Sequence, residues 1–321
     1  MKAIRAHEFG PPSVMKIEDI PAPAPGAGQV LVAIKAAGVN PVDTYIRSGV
    51  YARKKPDPPF TPGFDGAGVV ESVGSGVKRF KPGDRVYING SVTGSYAEKA
   101  VASEGNVHPL PSSLSFAQGA GVHVPYGTGI HAIFDVAKCR AGETILVHGA
   151  SGGVGSASVQ IARAAGLKVL GTGGTDRGRQ MVREQGAHHV LDHHATDFVD
   201  QVRTATDGRG PDVILEMLAN VNLGKDLKMI AFRGRIVIIG NRGTIDISPR
   251  DAMAKDAAIL GMMLLNVTDD ESRRIDAAIA VGLDSGAMRP VVGKELPLDK
   301  AAQAHDDVLA PGSLGKIVLI P

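Results

Sequence analysis

Segments of strand length dominate the first 121 positions of the chain. Apolar-rich segments run from Gln29 to Lys35, from Gly68 to Val73 and from Asp84 to Ile88. Glycine and proline separate them, as in the turn Lys81–Asp84. Many short strands bounded by such turns are typical of β-barrels and β-sandwiches. This part of the sequence therefore predicts a β-rich, barrel-like domain.

From about position 122, apolar strand segments alternate with helical patterns. The run Arg235–Ile239 is apolar after its first residue, as expected of a parallel strand buried on both faces. The predicted strands are Thr144–His148, Leu167–Gly171, His189–Asp192, Asp212–Met217, Arg235–Ile239 and Ala258–Leu265. Strands separated by helices form open parallel sheets with helices on both faces, so we predict a doubly wound sheet.

The last part of the chain carries one more helix pattern and one more strand. The helix is predicted over Glu271–Leu283 and the strand over Lys316–Ile320. We interpret this part as a return to the first domain. The predicted fold class is α/β, with a β-barrel-type domain over 1–122, an inserted parallel-sheet domain over 123–265, and the return over 266–321.

Composition excludes several classes of protein. The formal net charge is +2, and the longest basic run is Arg53–Lys55, predicted as a solvated loop. The one cysteine, Cys139, has no partner for an internal disulfide or a cysteine zinc site. No uninterrupted apolar run reaches the 18 residues of a membrane span. We expect a cytoplasmic protein with no membrane partner.

A glycine-rich turn follows the first strand of the parallel sheet and opens a helix. Its pattern is Ala150-x-Gly152-x-x-Gly155. In a dinucleotide-binding turn, the second position lets the backbone approach a pyrophosphate, and the third lets the helix pack closely on the strand. The helix N-terminus then supplies free N–H groups to the phosphates. The turn therefore predicts a nicotinamide dinucleotide cofactor.

The tip of the second strand bears on which cofactor is bound. NAD sites usually carry a carboxylate there that holds the ribose 2′-OH. Gly171–Gly174 has none, and the first carboxylate is Asp176. Arg177 and Arg179 follow closely, where either could meet a 2′-phosphate or be a surface charge. The pattern favours NADPH.

Longer strings of sequence carry a family resemblance. They are Gly38–Gly49, Val147–Gly155, Glu216–Asn222, Gly243–Thr244 and Pro249–Asp251. Over essentially its whole length, the chain resembles the zinc-free, ζ-crystallin-like quinone oxidoreductases of the medium-chain dehydrogenase/reductase superfamily. The resemblance implies a GroES-like catalytic domain in two pieces, an inserted Rossmann domain and a cleft between them. It also implies a homodimer or homotetramer, with Ala258–Leu265 as the natural pairing edge.

The resemblance also implies which residues contact NADPH. Tyr45 would lie on the nicotinamide side, Gly174 and His193 at the adenosine end, and Lys316 near the 2′-phosphate unless it is a surface lysine. The pyrophosphate would be held by Ser151, Gly152, Gly153 and Val154. The remaining expected contacts are Thr128, Asn222, Ile239, Gly240, Asn241, Arg242, Met262, Met263 and Leu264.

The resemblance also allows the residues at the zinc-ligand positions of zinc-dependent relatives to be compared with those of this chain. Zinc-dependent relatives have a cysteine where this chain has Asn40, and a histidine in a motif that here is Gly63–Gly68. Zinc catalysis needs three protein ligands, so no metal is predicted there. An alternative site would be His188, His189, His193 and His194. That segment straddles a predicted strand whose alternate residues face opposite ways, which disfavours it.

Asn40 and Tyr45 are the predicted catalytic residues. An amide and a phenol can each donate a hydrogen bond to a developing oxyanion. The alternatives are a turn-capping asparagine and a packed tyrosine. Gly127 and Ile130 are smaller than the residues of close relatives, which could widen the cleft.

Three functions stay open at this point. They are reduction of quinones, reduction of enones or alkenals on the same architecture, and an RNA-binding or crystallin-like structural role. The sequence has no basic stripe or RNA-recognition motif, so nucleic acid ranks as a secondary partner at most.

Overall fold

The computed structural model describes residues 1–50 and 55–321, so Arg53 and Lys54 of the predicted basic loop lie outside the described residues. The chain forms two compact units. The first comprises Met1–Val124 and Pro290–Pro321, and the second comprises Pro125–Arg289. The second unit is thus inserted between two parts of the first.

The helices and strands of the described residues are as follows. The strands are β1 (Lys2–Ala6), β2 (Met15–Asp19), β3 (Gln29–Val39), β4 (Asp65–Val73), β5 (Arg85–Asn89), β6 (Lys99–Ser103), β7 (Val107–Pro109), β8 (Thr144–Val147), β9 (Lys168–Thr172), β10 (His189–Leu191), β11 (Val213–Glu216), β12 (Arg235–Ile238), β13 (Ala258–Gly261), β14 (Val292–Pro297) and β15 (Lys316–Ile320). The α-helices are α1 (Pro41–Arg47), α2 (Phe116–Gly119), α3 (His123–Ile130), α4 (Gly153–Ala164), α5 (Asp176–Glu184), α6 (Phe198–Ala205), α7 (Ala219–Met229), α8 (Pro249–Met253), α9 (Asp269–Asp284) and α10 (Ala301–Asp307).

The first unit contains the two-stranded sheet β1-β2 and a seven-stranded sheet. The strand order of the larger sheet is β14-β15-β3-β4-β5-β7, and β6 also pairs with β3. All of these pairs are antiparallel except β14 with β15. The 11-residue strand β3 lies between β4 and β15, and it aligns Gly38 with Asp65 on one side and with Val318 on the other. This register brings the starts of β4 and β15 to the end of β3.

The second unit is an open, six-stranded parallel sheet. Its order is β10-β9-β8-β11-β12-β13, so in chain order within the unit the strands run 3-2-1-4-5-6. Leu146, Ile214 and Ile236 are fully buried on three neighbouring strands. In this topology, ligands bind at the carboxyl ends of the strands where the order reverses, here between β8 and β11. The predicted α/β class with a doubly wound sheet is confirmed.

The second change of unit comes at Pro290, whereas the sequence analysis placed it after position 265. The intervening helix α9 buries Ile275 and Ile279 completely or nearly so. Ile275 packs against α3, because a Cβ added to Gly127 would lie 3.5 Å from its Cγ2. The helical period shows that α9 has an apolar face, but it does not show which sheet covers that face.

Several strands end earlier than predicted. The predicted strand Ala258–Leu265 ends at Gly261, where the last ladder bond runs from the Met262 N–H to the Ile238 carbonyl, and a 3₁₀ turn follows over Leu264–Asn266. The predicted strand His189–Asp192 ends at Leu191.

Among the described residues, no helix is both long and apolar enough to cross a membrane.

Candidate active site and nucleotide-binding loops

The glycine-rich turn lies between β8 and α4, as predicted. The N–H of Ala150 donates to the Thr172 carbonyl at 2.9 Å, and the N–H of Gly149 donates to Thr172 Oγ1 at 3.0 Å. These bonds attach the turn to the end of β9. Gly152 is the N-cap of α4, so the N–H groups of the first helical turn, which begins at Gly153, have no partner within the helix. Such a turn presents several donors and a partial positive charge to an anion.

Gly155 fixes how closely α4 approaches the strand. A Cβ at this position would lie 2.2 Å from the Gly149 carbonyl oxygen and 2.6 Å from the Ala150 Cα. Both are backbone atoms, so no side-chain rearrangement would relieve the contact. The spacing between Gly149 and Gly155 therefore requires glycine, as the dinucleotide fingerprint predicts.

The end of β9 brings together two residues that the sequence analysis assigned to the adenosine end. A Cβ on Gly174 would lie 2.9 Å from His193 Nε2 and 2.8 Å from His194 Nε2. The two imidazole rings are 4.3 Å apart in an edge-to-face arrangement. Burial and the neighbouring His194 lower the pKa of His193 below its usual value of 6.5. A neutral imidazole and a glycine backbone thus form one small concave surface beside the strand end.

The two arginines near this surface are in different environments. Arg179 is held by Asp192 at 2.7 Å and by Asp176 at 2.5 Å. Arg177 is exposed and pairs with no carboxylate among the described residues. An unpaired guanidinium is the better partner for an anion, because it loses no existing ion pair. Arg177 is therefore the candidate for a 2′-phosphate, which sequence alone could not decide.

The four histidines that were weighed as a metal site do not share one environment. His188 Nε2 contacts the guanidinium of Arg163, and its Nδ1 accepts from the Val169 N–H at 2.9 Å. His193 and His194 instead lie over Gly174. The described residues contain two groups that could ligate a metal, and neither includes any of these four histidines.

Other predicted cofactor residues lie at the carboxyl ends of β11, β12 and β13. Asn222 donates from Nδ2 to Glu216 Oε1 at 3.1 Å. The predicted contacts that follow β12 and β13 are half-buried or exposed: Ile239, Gly240, Asn241, Arg242, Met262, Met263 and Leu264. Thr128 is buried on α3. Contact of these residues with a cofactor stays a prediction.

Two side chains lie close to Gly127, where the sequence analysis expects extra space. A Cβ there would lie 3.4 Å from both Leu264 methyl groups and 3.5 Å from Ile275 Cγ2. Ile130 is 5% exposed. Side chains of the same unit thus pack beside Gly127, and a wider cleft at this position stays a prediction.

In the first unit, Asn40 belongs to a buried polar cluster with Asp65 and Lys316. The Lys316 ammonium donates to Asp65 Oδ2 at 2.8 Å and to Asn40 Oδ1. The Asn40 amide donates to the same Asp65 oxygen at 3.0 Å. The exposed fractions are 3% for Asn40, 1% for Asp65 and 4% for Lys316. The alternative that Lys316 is a surface lysine is therefore wrong, whereas its contact with a 2′-phosphate stays a prediction.

This cluster has chemical consequences for Asn40. An ammonium bonded to the amide oxygen withdraws electron density and makes the amide N–H a stronger donor. One of the two amide hydrogens bonds Asp65, which leaves the other for a ligand. Sequence reasoning singled out Asn40 but missed Asp65 and Lys316 as its partners. The pairing of β3 with both β4 and β15 is what brings them together.

Helix α1 carries the second predicted catalytic residue, and its N-cap is Asn40. Asp43 Oδ2 accepts from the Asn40 N–H at 2.8 Å and from the Tyr96 hydroxyl at 3.1 Å. Burial raises the pKa of Asp43 from 3.8 to about 7. Tyr45, on the same helix, is half-buried, and its hydroxyl bonds none of the described residues. It is thus available as a donor.

Comparison with known proteins gives matches along the whole chain. Family profiles match residues 26–112 as "Alcohol dehydrogenase GroES-like domain" and residues 153–280 as "Zinc-binding dehydrogenase". The quinone oxidoreductase of Rattus norvegicus is 50% identical over 322 residues, covering 100% of this chain and 98% of the relative. That of Homo sapiens is 48% identical with the same coverage.

A solved structure agrees with these matches. Escherichia coli quinone oxidoreductase complexed with NADPH has a TM-score of 0.87 and 29% identity, with 100% of both chains covered. The structural likeness therefore extends over both compact units.

Proposed function

Because the chain belongs to the quinone oxidoreductase family of the medium-chain dehydrogenases/reductases, we propose that it reduces quinones with NADPH and without a catalytic zinc. The observation that carries this proposal is the buried cluster of Asn40, Asp65 and Lys316. The Lys316 ammonium is a cation that acts on Asn40, at the position where zinc-dependent relatives have a cysteine.

The second unit binds the cofactor. When bound, NADPH supplies the hydride, so the protein's part is to hold and orient it. The turn from Gly149 to Gly155 presents backbone N–H groups to the pyrophosphate. The surface formed by Gly174 and His193 receives the adenosine end, and Arg177 offers its guanidinium to the 2′-phosphate. The absence of a carboxylate at the β9 tip removes the repulsion that this phosphate would meet.

The first unit supplies hydrogen-bond donors to the acceptor. The second amide hydrogen of Asn40 donates to the quinone oxygen as negative charge develops there. Lys316 fixes the orientation of the amide, because its ammonium takes the amide oxygen while Asp65 takes one N–H. Tyr45 is a second donor, with a hydroxyl that makes no competing bond to the described residues. A quinone's reduced form is already delocalised, so two donors suffice and no nucleophile is needed.

Assembly and location belong to the same proposal. Strand β13 is the edge of the parallel sheet, and the exposed apolar side chains near it are Ile259, Met263 and Leu265, each 37–38% exposed. An apolar edge strand favours pairing with a second copy, so we propose a homodimer or homotetramer. We also propose a cytoplasmic location. Sedimentation velocity that detects monomer alone at micromolar concentration would remove the assembly part.

Steady-state kinetics with a small panel of acceptors tests the function. The panel is an ortho-quinone, a para-quinone and an α,β-unsaturated aldehyde, each with NADPH and NADH. We expect turnover of at least one quinone with a kcat/KM that is higher for NADPH. Turnover of the aldehyde alone would replace the quinone by an enone substrate. A kcat/KM for NADH equal to that for NADPH would contradict the assignment of Arg177.

A variant of Asn40 tests the site itself. Asn40→Ala removes the donor and should lower kcat by about 10²-fold, the typical loss for one oxyanion donor. Lys294→Met is the control, because Lys294, on β14, forms an exposed ion pair with Asp307 on α10. Equal activity of Asn40→Ala and the wild type would refute the role of Asn40.

A further inference from the structure

Three ionisable side chains that the proposed reaction does not use meet in the core of the second unit. His148 directly follows β8, Glu216 is the last residue of β11, and Asp226 is on α7. Their exposed fractions are 3% for His148 and 0% for the two carboxyl groups. They lie where the strand order reverses, next to the phosphate-binding turn that begins at Gly149.

The contacts of this cluster, here called the core triad (His148, Glu216 and Asp226), are incomplete. His148 Nε2 is 2.8 Å from Asp226 Oδ1 and 3.5 Å from Glu216 Oε2. Glu216 Oε1 accepts from the Leu218 backbone N–H and from the Asn222 amide. Glu216 Oε2 and Asp226 Oδ2 are buried and have no hydrogen-bond partner among the described residues.

Counting charges shows what the triad lacks. Two ionised carboxylates and one imidazolium leave a net charge of −1 in a buried place, which is costly. Two ionised carboxylates also offer only acceptors to each other. One proton on either carboxyl removes both problems, since it neutralises the triad and turns one bare oxygen into a donor.

The titration behaviour of the groups agrees with this count. Burial raises the pKa of Glu216 from 4.5 to about 7, and the charge of the neighbouring Asp226 adds to the rise. Burial lowers the pKa of His148, but Asp226 and Glu216 more than offset this and raise it above 6.5. Two other titratable groups interact electrostatically with His148. The charge of Lys225 lowers the pKa of His148, and the charge of His148 lowers the pKa of His193.

We propose that Glu216 carries a proton beside Asp226, and that this neutral carboxyl makes Glu216 a positioning residue for NADPH. The inference rests on the proposed cofactor. Glu216 acts through the groups it holds, which are Asn222 and the Leu218 N–H in the turn between β11 and α7. The triad also holds His148, whose next residue opens the phosphate-binding turn.

The proposal fixes a direction for the pH dependence of binding. Below about pH 7 Glu216 keeps its proton, the triad is neutral and both loops are held in place. As the pH rises through this value, the proton leaves and the buried net charge becomes −1. The two carboxylates then repel each other and the anionic cofactor, so NADPH binds more weakly.

Glu216→Gln is the decisive variant, because an amide imitates the protonated acid at every pH. Its oxygen can accept from Leu218 and Asn222, and its NH₂ can donate to Asp226. We expect the Kd for NADPH to rise roughly three- to tenfold from pH 7 to pH 9 in the wild type, and to stay nearly constant in the variant. Glu143→Gln is the control, since Glu143 pairs with Arg235 at the opposite ends of the strands.

Isothermal titration in two buffers of different ionisation enthalpy measures the proton directly. At pH 7.5, NADPH binding should take up a fraction of a proton in the wild type and in Glu143→Gln, and less in Glu216→Gln. Equal proton uptake in all three proteins would overturn the proposal. Failure of NADPH to bind even at pH 6.5 would instead overturn the proposed cofactor.

A spectroscopic measurement without cofactor keeps the two questions separate. Asp43→Asn serves as the background for this measurement, because it removes the other buried carboxyl with a raised pKa. In that background, infrared spectra at pH 6 should contain the C=O band of a protonated buried carboxylic acid, and addition of Glu216→Gln should remove it. Absence of that band in the Asp43→Asn protein would refute the protonated Glu216. So would one equivalent of tightly bound divalent metal that is lost in Glu216→Gln, because these three side chains could also ligate a cation.

Discussion

Replacing Lys316 by methionine tests the buried cluster that carries the proposed function. The substitution keeps most of the side-chain volume but removes the ammonium, so Asp65, 1% exposed, loses its countercharge. Removing one partner of a buried ion pair typically costs about 3–5 kcal/mol, because the other charge stays buried without compensation. The Asn40 amide remains as a donor to Asp65 and recovers part of this, so we expect about 3 kcal/mol.

The assay is urea unfolding followed by circular dichroism, because the chain has no tryptophan. Lys294→Met is again the control, since its exposed ion pair should contribute about 0–1 kcal/mol. Activity should fall as well, because the Asn40 amide loses its polarisation and its fixed orientation. A loss below about 1 kcal/mol for Lys316→Met, equal to that of the control, would refute a desolvated pair.

Three further predictions follow from single contacts. Gly155→Ala should weaken NADPH binding and destabilise the second unit by about 1–3 kcal/mol or more, because its Cβ would lie 2.2 Å from the Gly149 carbonyl oxygen. Urea unfolding measures the loss of stability, and titration followed by NADPH fluorescence measures binding. Unchanged NADPH binding would contradict the close packing. Arg177→Ala should raise the KM for NADPH roughly tenfold while leaving that for NADH unchanged, and an equal rise for both cofactors would exclude a contact with the 2′-phosphate. For Asp43, the folded pKa of about 7 lies above the unfolded value of 3.8, so the native state binds the extra proton. Stability relative to Asp43→Asn should therefore fall as the pH rises from about 4 to about 7, by at most about 1.4 kcal/mol per pH unit, and level off above. A wild-type curve parallel to that of the variant would contradict the raised pKa.

The local features of the nucleotide-binding unit followed from sequence patterns. The phosphate-binding turn and its helix could be placed within a residue or two, because helix capping and glycine spacing are local properties. The six parallel strands were also identified in order. Strand ends were less accurate, as at Gly261, because ladder bonds and not composition decide where pairing stops.

The sequence was less informative wherever two distant segments had to be compared. It could not separate Arg177 from Arg179, since the difference is the two carboxylates that hold Arg179. It could not show that Leu264 and Ile275 pack beside Gly127. It also ended the inserted unit before α9, because amphipathic periodicity identifies an apolar face but not the surface that covers it.

By itself, the sequence determined the fold class, the cofactor-binding turn and the absence of a cysteine at position 40, since each depends on residue types at short spacing. The tertiary structure alone decided the surroundings of Asn40. Lys316 lies 276 positions from Asn40 and 251 from Asp65, and strand β3 brings the three together by pairing on both edges. The physical reason is that burial and pairing of charges depend on contacts between strands, which no local pattern encodes.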